Sequence, residues 1–226
     1  MNELVWRNFS GIYLFICLAD IVSITFFEHY SFLEFIFKPL IMLPIIGVAY
    51  KQLKTHFLYK TILFAFVFSW LGDVFLLGQA YSEWFFVAGL GSFLISHLLY
   101  SRYFLLSVNM KFNSQLSIKI IQLIIVFLII GFYSLMYEGL ADLKIPVLFY
   151  VVAIGLMGIL AVNRNQLVNN KPFWFTTMGA FTFIVSDSII GYSKFIGSIP
   201  FAHTFIMSLY CTAQYLIFKG ICIVRK

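Results

Sequence analysis

Long apolar runs follow one another through this chain, at about 10–27, 36–50, 57–78, 83–106, 117–137, 145–163, 173–192 and 201–223. Hydrocarbon about 30 Å thick is crossed by roughly 20 helical residues. Lipid offers no partner to a free backbone N–H or C=O, so only helices and closed barrels span it. The runs lack the period-two alternation of barrel strands. They predict an all-α integral membrane protein: a bundle of eight transmembrane helices, with residues 1–226 as one domain. The composition agrees, with 11% charged residues and a mean hydropathy of +0.97, against about 25% charged in a soluble chain. The first run carries Asp20 and is followed by no small-residue cleavage site, so it reads as a retained span. Pro39 and Pro44 predict that the second is kinked or partly re-entrant.

Eight crossings put both termini on one side, and charge tests this. Twelve of the 15 Lys and Arg fall on the terminal side, leaving Lys38, Lys144 and Lys194 opposite. That bias predicts cytoplasmic N and C termini and suits a bacterial inner membrane. The net charge of +6 is therefore a topology signal rather than a nucleic-acid surface. Cys17, Cys211 and Cys222 lie in apolar runs, with no CxxC and no His at ligand spacing, so neither disulfides nor a metal site is expected. "GLGS" at 89–92 lacks the GK[ST] ending of a phosphate loop. Neither a GxSxG elbow nor an HExxH occurs. No cofactor is implied.

What remains is a set of polar residues inside apolar runs. Asp73, in "WLGDVFLL", lies roughly 7 Å below the outer end of the third span, and Asp187 roughly 8 Å below Tyr192 in the seventh, at 1.5 Å per residue. The two acids share a level. Lys38, Tyr150 and Asp20 fall in the same outer third, Tyr210 and Gln214 lie deeper, and His97 sits about 14 Å deeper than Asp73 by the same count. A charged Asp at mid-bilayer costs roughly 2.5 to 3.5 kcal/mol on insertion scales, which makes such residues functional candidates. Two neighbouring carboxyls can divide the roles of acid and base. A plainer account is available for each: Asp73 paired with Lys38 as a structural ion pair, His97 as a hydrogen-bonded core histidine, and Tyr150 and Tyr210 as packing residues.

"KPL" at 38–40, "SWLGDVFLL" at 69–77, "GLGSFLISHLLYSRYF" at 89–104, "GAFTFIVSDSIIGYSKF" at 179–195 and "LYCTAQYLI" at 209–217 together resemble the YhhN-like membrane family, which includes the lysoplasmalogenases. The resemblance implies an eight-span enzyme that hydrolyses the vinyl ether bond of a lysoplasmalogen to a fatty aldehyde and glycerophosphoethanolamine or glycerophosphocholine. It places the family's polar signature on Lys38, Asp73, His97, Asp187, Tyr210 and Gln214. Asp73 and Asp187 are the implied catalytic pair, and the others bind or orient the substrate. Tyr150 and Asp20 are added from depth alone. The implied partners are a lysophospholipid and the bilayer. Two other classes use paired membrane acids. An intramembrane aspartyl protease needs YD, GxGD and PAL, which this chain lacks. A proton-coupled transporter, or a lysolipid-binding protein without catalysis, is the alternative reading.

Overall fold

The computed structural model describes residues 3–26 and 32–223. Eight α-helices cover nearly all of them: α1 Glu3–Phe26, α2 Phe32–Gln52, α3 Tyr59–Leu77, α4 Glu83–Leu106, α5 Leu116–Met136, α6 Lys144–Asn163, α7 Asn170–Phe195 and α8 Ala202–Ile223. A single 3₁₀ turn, Ala141–Leu143, precedes α6. All eight are long and apolar enough to cross a membrane, as the apolar runs predict. The helices outlast those runs at several ends, most of all in α1. There Phe9 and Tyr13 bury themselves against α8, stacking near Tyr215 and Phe218.

The re-entrant form expected for the second span is not seen. α2 is a single unbroken helix with Pro39 and Pro44 inside it. A proline frees a carbonyl one turn back, and a buried helix keeps its course when neighbouring groups and packing compensate. Packing holds the helix in place: Ile41, Met42 and Ile45 are wholly buried on it, and the Trp70 indole of α3 donates to the Pro39 carbonyl at 2.9 Å.

The helices pack as α1 on α2 and α8, α2 on α3, α3 on α4, α4 on α6, and α7 on both α6 and α8. α5 lies outermost, resting on α6 and lightly on α7. Its Leu123, Phe127, Ile130 and Leu135 point outward, where hydrocarbon would surround them. The interior is the more polar side: Asp20, Lys38, Asp73, His97, Arg164 and Gln214 are all buried. Close helix approach depends on small residues. A Cβ at Gly179 would meet the Ile217 backbone nitrogen at 2.9 Å, and one at Gly220 would meet the Thr176 nitrogen at 2.9 Å.

Candidate active site

The two acids stand in separate settings. Asp187, on α7, accepts at Oδ2 from the Tyr150 hydroxyl of α6, and His97 Nε2 of α4 lies 3.2 Å from the same oxygen. His97 Nε2 is also 3.1 Å from the Tyr150 hydroxyl. With Oδ2 as the acceptor shared by both neighbours, the imidazole proton is assigned to Nε2, and Nδ1 is buried without a hydrogen-bond partner. Asp187 Oδ1 makes none of these contacts.

Asp73, on α3, accepts at Oδ2 from the Tyr210 hydroxyl of α8 at 2.6 Å. Phe93 and Phe183 stand between the two settings. Phe93 contacts both His97 and Tyr210, with ring centroids 6.5 and 5.9 Å away, and Phe183 does the same at 4.8 and 5.5 Å. The carboxyls therefore share no hydrogen bond with each other.

His97 corrects the depth count. Helix rise alone put it far below the acids, yet it touches Asp187. The error lies in levelling helix ends that are staggered. Phe86 of α4 meets Phe195 of α7, with ring centroids 6.0 Å apart. Measured from that shared level, His97 lies eleven residues down α4 and Asp187 eight residues down α7, a difference of about 4.5 Å. Two side chains reaching toward each other span that distance.

A cavity of about 340 Å³ opens beside Asp187, between α4, α5, α6 and α7. Its wall is almost entirely aliphatic and aromatic, with Asp187, Tyr150 and Ser188 as the polar side chains on it. Asp73 is not part of that wall. The cavity runs from Phe86 and Phe195 near one end of the bundle to Ile125 and Phe181 near its middle. Asp187 sits part way down.

Beyond the Phe93–Phe183 partition lies a charged group that only partly matches the sequence reading. Lys38 Nζ pairs at 3.3 Å with Glu34, one turn earlier on α2, rather than with Asp73. His203 of α8 reaches the same Glu34 oxygen at 3.2 Å. Glu34 and His203 are absent from the sequence-derived set. The signal available was Glu34 four residues before Lys38, the spacing that brings helical side chains together. Asp20 is fully buried, and neither of its carboxyl oxygens has a hydrogen-bond partner. Gln214 is one turn deeper than Tyr210 and accepts from the Tyr100 hydroxyl at 2.8 Å. It meets neither acid. Among the described residues no three His, Cys, Asp or Glu side chains are grouped to hold a metal ion.

Comparison with known proteins supplies relatives by sequence. The chain is 35% identical over 169 residues to the lysoplasmalogenase TMEM86A of Bos taurus, covering 73% of this chain and 66% of that protein. It is 32% identical over 155 residues to the lysoplasmalogenase TMEM86A of Homo sapiens, covering 67% and 60%. With a lysoplasmalogenase of Mycobacterium tuberculosis it shares 33% identity over 135 residues, 58% of this chain and 49% of that one. The chain thus spans between about half and two thirds of the length of these relatives. No solved structure matches it. A sequence model of the YhhN family matches residues 33–221, a stretch that holds every polar residue of the partitioned site except Asp20, and by that match the chain belongs to the YhhN family.

Proposed function

We propose that this protein hydrolyses the vinyl ether bond of a lysoplasmalogen, releasing a fatty aldehyde and a glycerophosphoalcohol. The observation that carries the reading is Asp187, held by Tyr150 and His97 at the edge of an apolar cavity. The relatives named lysoplasmalogenase support it.

Hydrolysis of a vinyl ether begins with a proton added to the β-carbon, which leaves an oxocarbenium ion. Water adds to that ion, and the resulting hemiacetal collapses to aldehyde and alcohol. One carboxyl can serve both proton steps. Asp187 bears the proton on Oδ1, which faces away from its donors, and gives it to the β-carbon. The carboxylate so formed is stabilised by Tyr150 and His97 at Oδ2 and takes a proton from the attacking water, which restores the acid. Asp73 completes the pair from behind the ring partition. Its charge favours the cation without contact, and Tyr210 fixes its position. Lys38 orients the acids on that side electrostatically, because its ammonium is buried against Glu34 and is not presented to a headgroup.

The single-chain lipid enters sideways between helices, with its tail in the cavity. The test is aldehyde release from lysoplasmenylethanolamine by the purified protein in detergent. Asp187→Asn should lower kcat by about 10²- to 10⁴-fold, the usual worth of a positioned general acid, while the variant still unfolds at the wild-type temperature. A folded wild type that binds lysolipid but releases no aldehyde would shift the reading to a lysolipid-binding or carrier protein. A carrier requires a sealed membrane to do its work, whereas a hydrolase turns over in detergent.

A further inference from the structure

Three Lys or Arg residues fall on the side of the bundle opposite the termini, and Lys38 is buried in an ion pair. The other two, Lys144 and Lys194, flank the same end of the same cavity. Lys194 follows Asp187 by seven residues on α7, so the two share a helix face about 10 Å apart along the axis. Its Nζ lies 5.1 Å from the centroid of the Phe86 ring, which is part of the cavity wall. Lys144 opens α6 one turn before the cavity residue Val147, and its Nζ rests 4.3 Å from the Tyr137 ring.

The two lysines are held to one rim by packing. A Cβ at Gly139, in the connection after α5, would fall 2.0 Å from the Phe195 carbonyl oxygen, so the start of α6 is pressed against the end of α7. Met136, Leu140 and Val147 cluster there with Phe195. Neither lysine is in an ion pair among the described residues. Cation–π contacts at exposed sites hold a lysine by only about 0.5–1 kcal/mol, so both ammoniums can turn to an anion. Below them the wall offers hydrocarbon and then one carboxyl. That order of charge, apolar surface and acid matches a single-chain phospholipid, whose phosphorus is six bonds from the first carbon of an ether-linked chain.

We infer that Lys144 and Lys194 form a phosphate-recognising rim that selects single-chain phospholipids over neutral glycerol ethers and sets their depth, so that the first carbons of the chain meet Asp187. The identity of the reacting bond rests on the vinyl ether hydrolase reading; recognition of the phosphate does not.

The experiment therefore separates binding from turnover. Binding of 1-O-hexadecyl-glycerophosphoethanolamine, which has no vinyl bond, is compared with that of 1-O-hexadecylglycerol by quenching of tryptophan fluorescence. Wild type should prefer the phospholipid about tenfold, through charge-assisted contacts that added salt weakens. The K144Q/K194Q double variant should lose that preference while binding the neutral ether as before, and the double Arg variant should keep it. In turnover, the double Gln variant should lower kcat/KM at least about tenfold for lysoplasmenylethanolamine, through both KM and kcat because the rim sets the depth of the reacting bond, and leave 1-alkenylglycerol unaffected. Equal binding of both lipids by wild type, or a preference that survives in the double Gln variant, overturns the rim. Competition by millimolar inorganic phosphate would also overturn it, by revealing a free-anion site. A phosphate preference lost in the Gln variant, in a protein that releases no aldehyde, would uphold the rim and defeat the hydrolase reading.

Discussion

At the scale of single residues, the two tyrosines give the sharpest contrast. Tyr150 and Tyr210 each donate to an Asp, but only Tyr150 lines the cavity. Removing a donor that steadies charge as it develops costs up to about 10²- to 10³-fold in kcat. Tyr150→Phe should approach that loss, whereas Tyr210→Phe should cost tenfold or less because Asp73 acts through the ring partition. Steady-state aldehyde release on both variants measures the difference, and equal losses would mean that the two acids contribute alike. Asp73, Asp187 and His97 stand out in the sequence because ionisable residues in apolar runs are costly and few, whereas Tyr150, one of 13 tyrosines, is suggested by depth alone. Glu34 and His203 could not, since Glu34 begins its helix at the edge of an apolar run, where a charge is ordinary. Nor did depth assign partners: the sequence reading paired Lys38 with Asp73, and the structure pairs it with Glu34, one turn away on its own helix.

At the scale of helices, α7 and α8 approach until backbone meets backbone. A side chain at Gly179 would press on the Ile217 nitrogen and the Ala213 carbonyl, at 2.9 and 3.0 Å. Backbone cannot rotate aside as a side-chain tip does. Gly179→Val should therefore force the helices apart and cost about 1–3 kcal/mol, the usual range for overpacking. Gly131→Ala on α5, where nothing lies within 4 Å, should leave stability unchanged or slightly improved, since alanine favours helix. Thermal unfolding in detergent compares the two, and a Gly179→Val protein as stable as wild type would show that the interface gives way easily. Displacing α7 also moves Asp187, so kcat should fall together with stability. The stagger of α4 against α7 belongs to this scale too. It is set by where Phe86 meets Phe195, and no count of rise along one helix contains it.

At the scale of the whole molecule, the number of crossings was legible and the neighbours were not. In lipid, apolar surface facing protein and apolar surface facing hydrocarbon carry the same residues. Nothing in the eight runs therefore says that α4 lies beside α6, or that α5 stands at the edge and walls the cavity. The charge bias adds direction. It predicts cytoplasmic termini, which would place the cavity mouth, at the other end of the bundle, on the far side of the membrane. This can be checked with single cysteines at exposed positions in a Cys222→Ser background, because Cys222 is half-buried whereas Cys17 and Cys211 are buried. Ser198→Cys, between α7 and α8, should react with an impermeant maleimide on intact cells, whereas Asn109→Cys, between α4 and α5, should react only after lysis. The reverse pattern would turn the molecule over. Lys144 and Lys194 would then face the cytoplasm, and the lipid would have to be drawn from the inner leaflet, with the rest of the site unchanged.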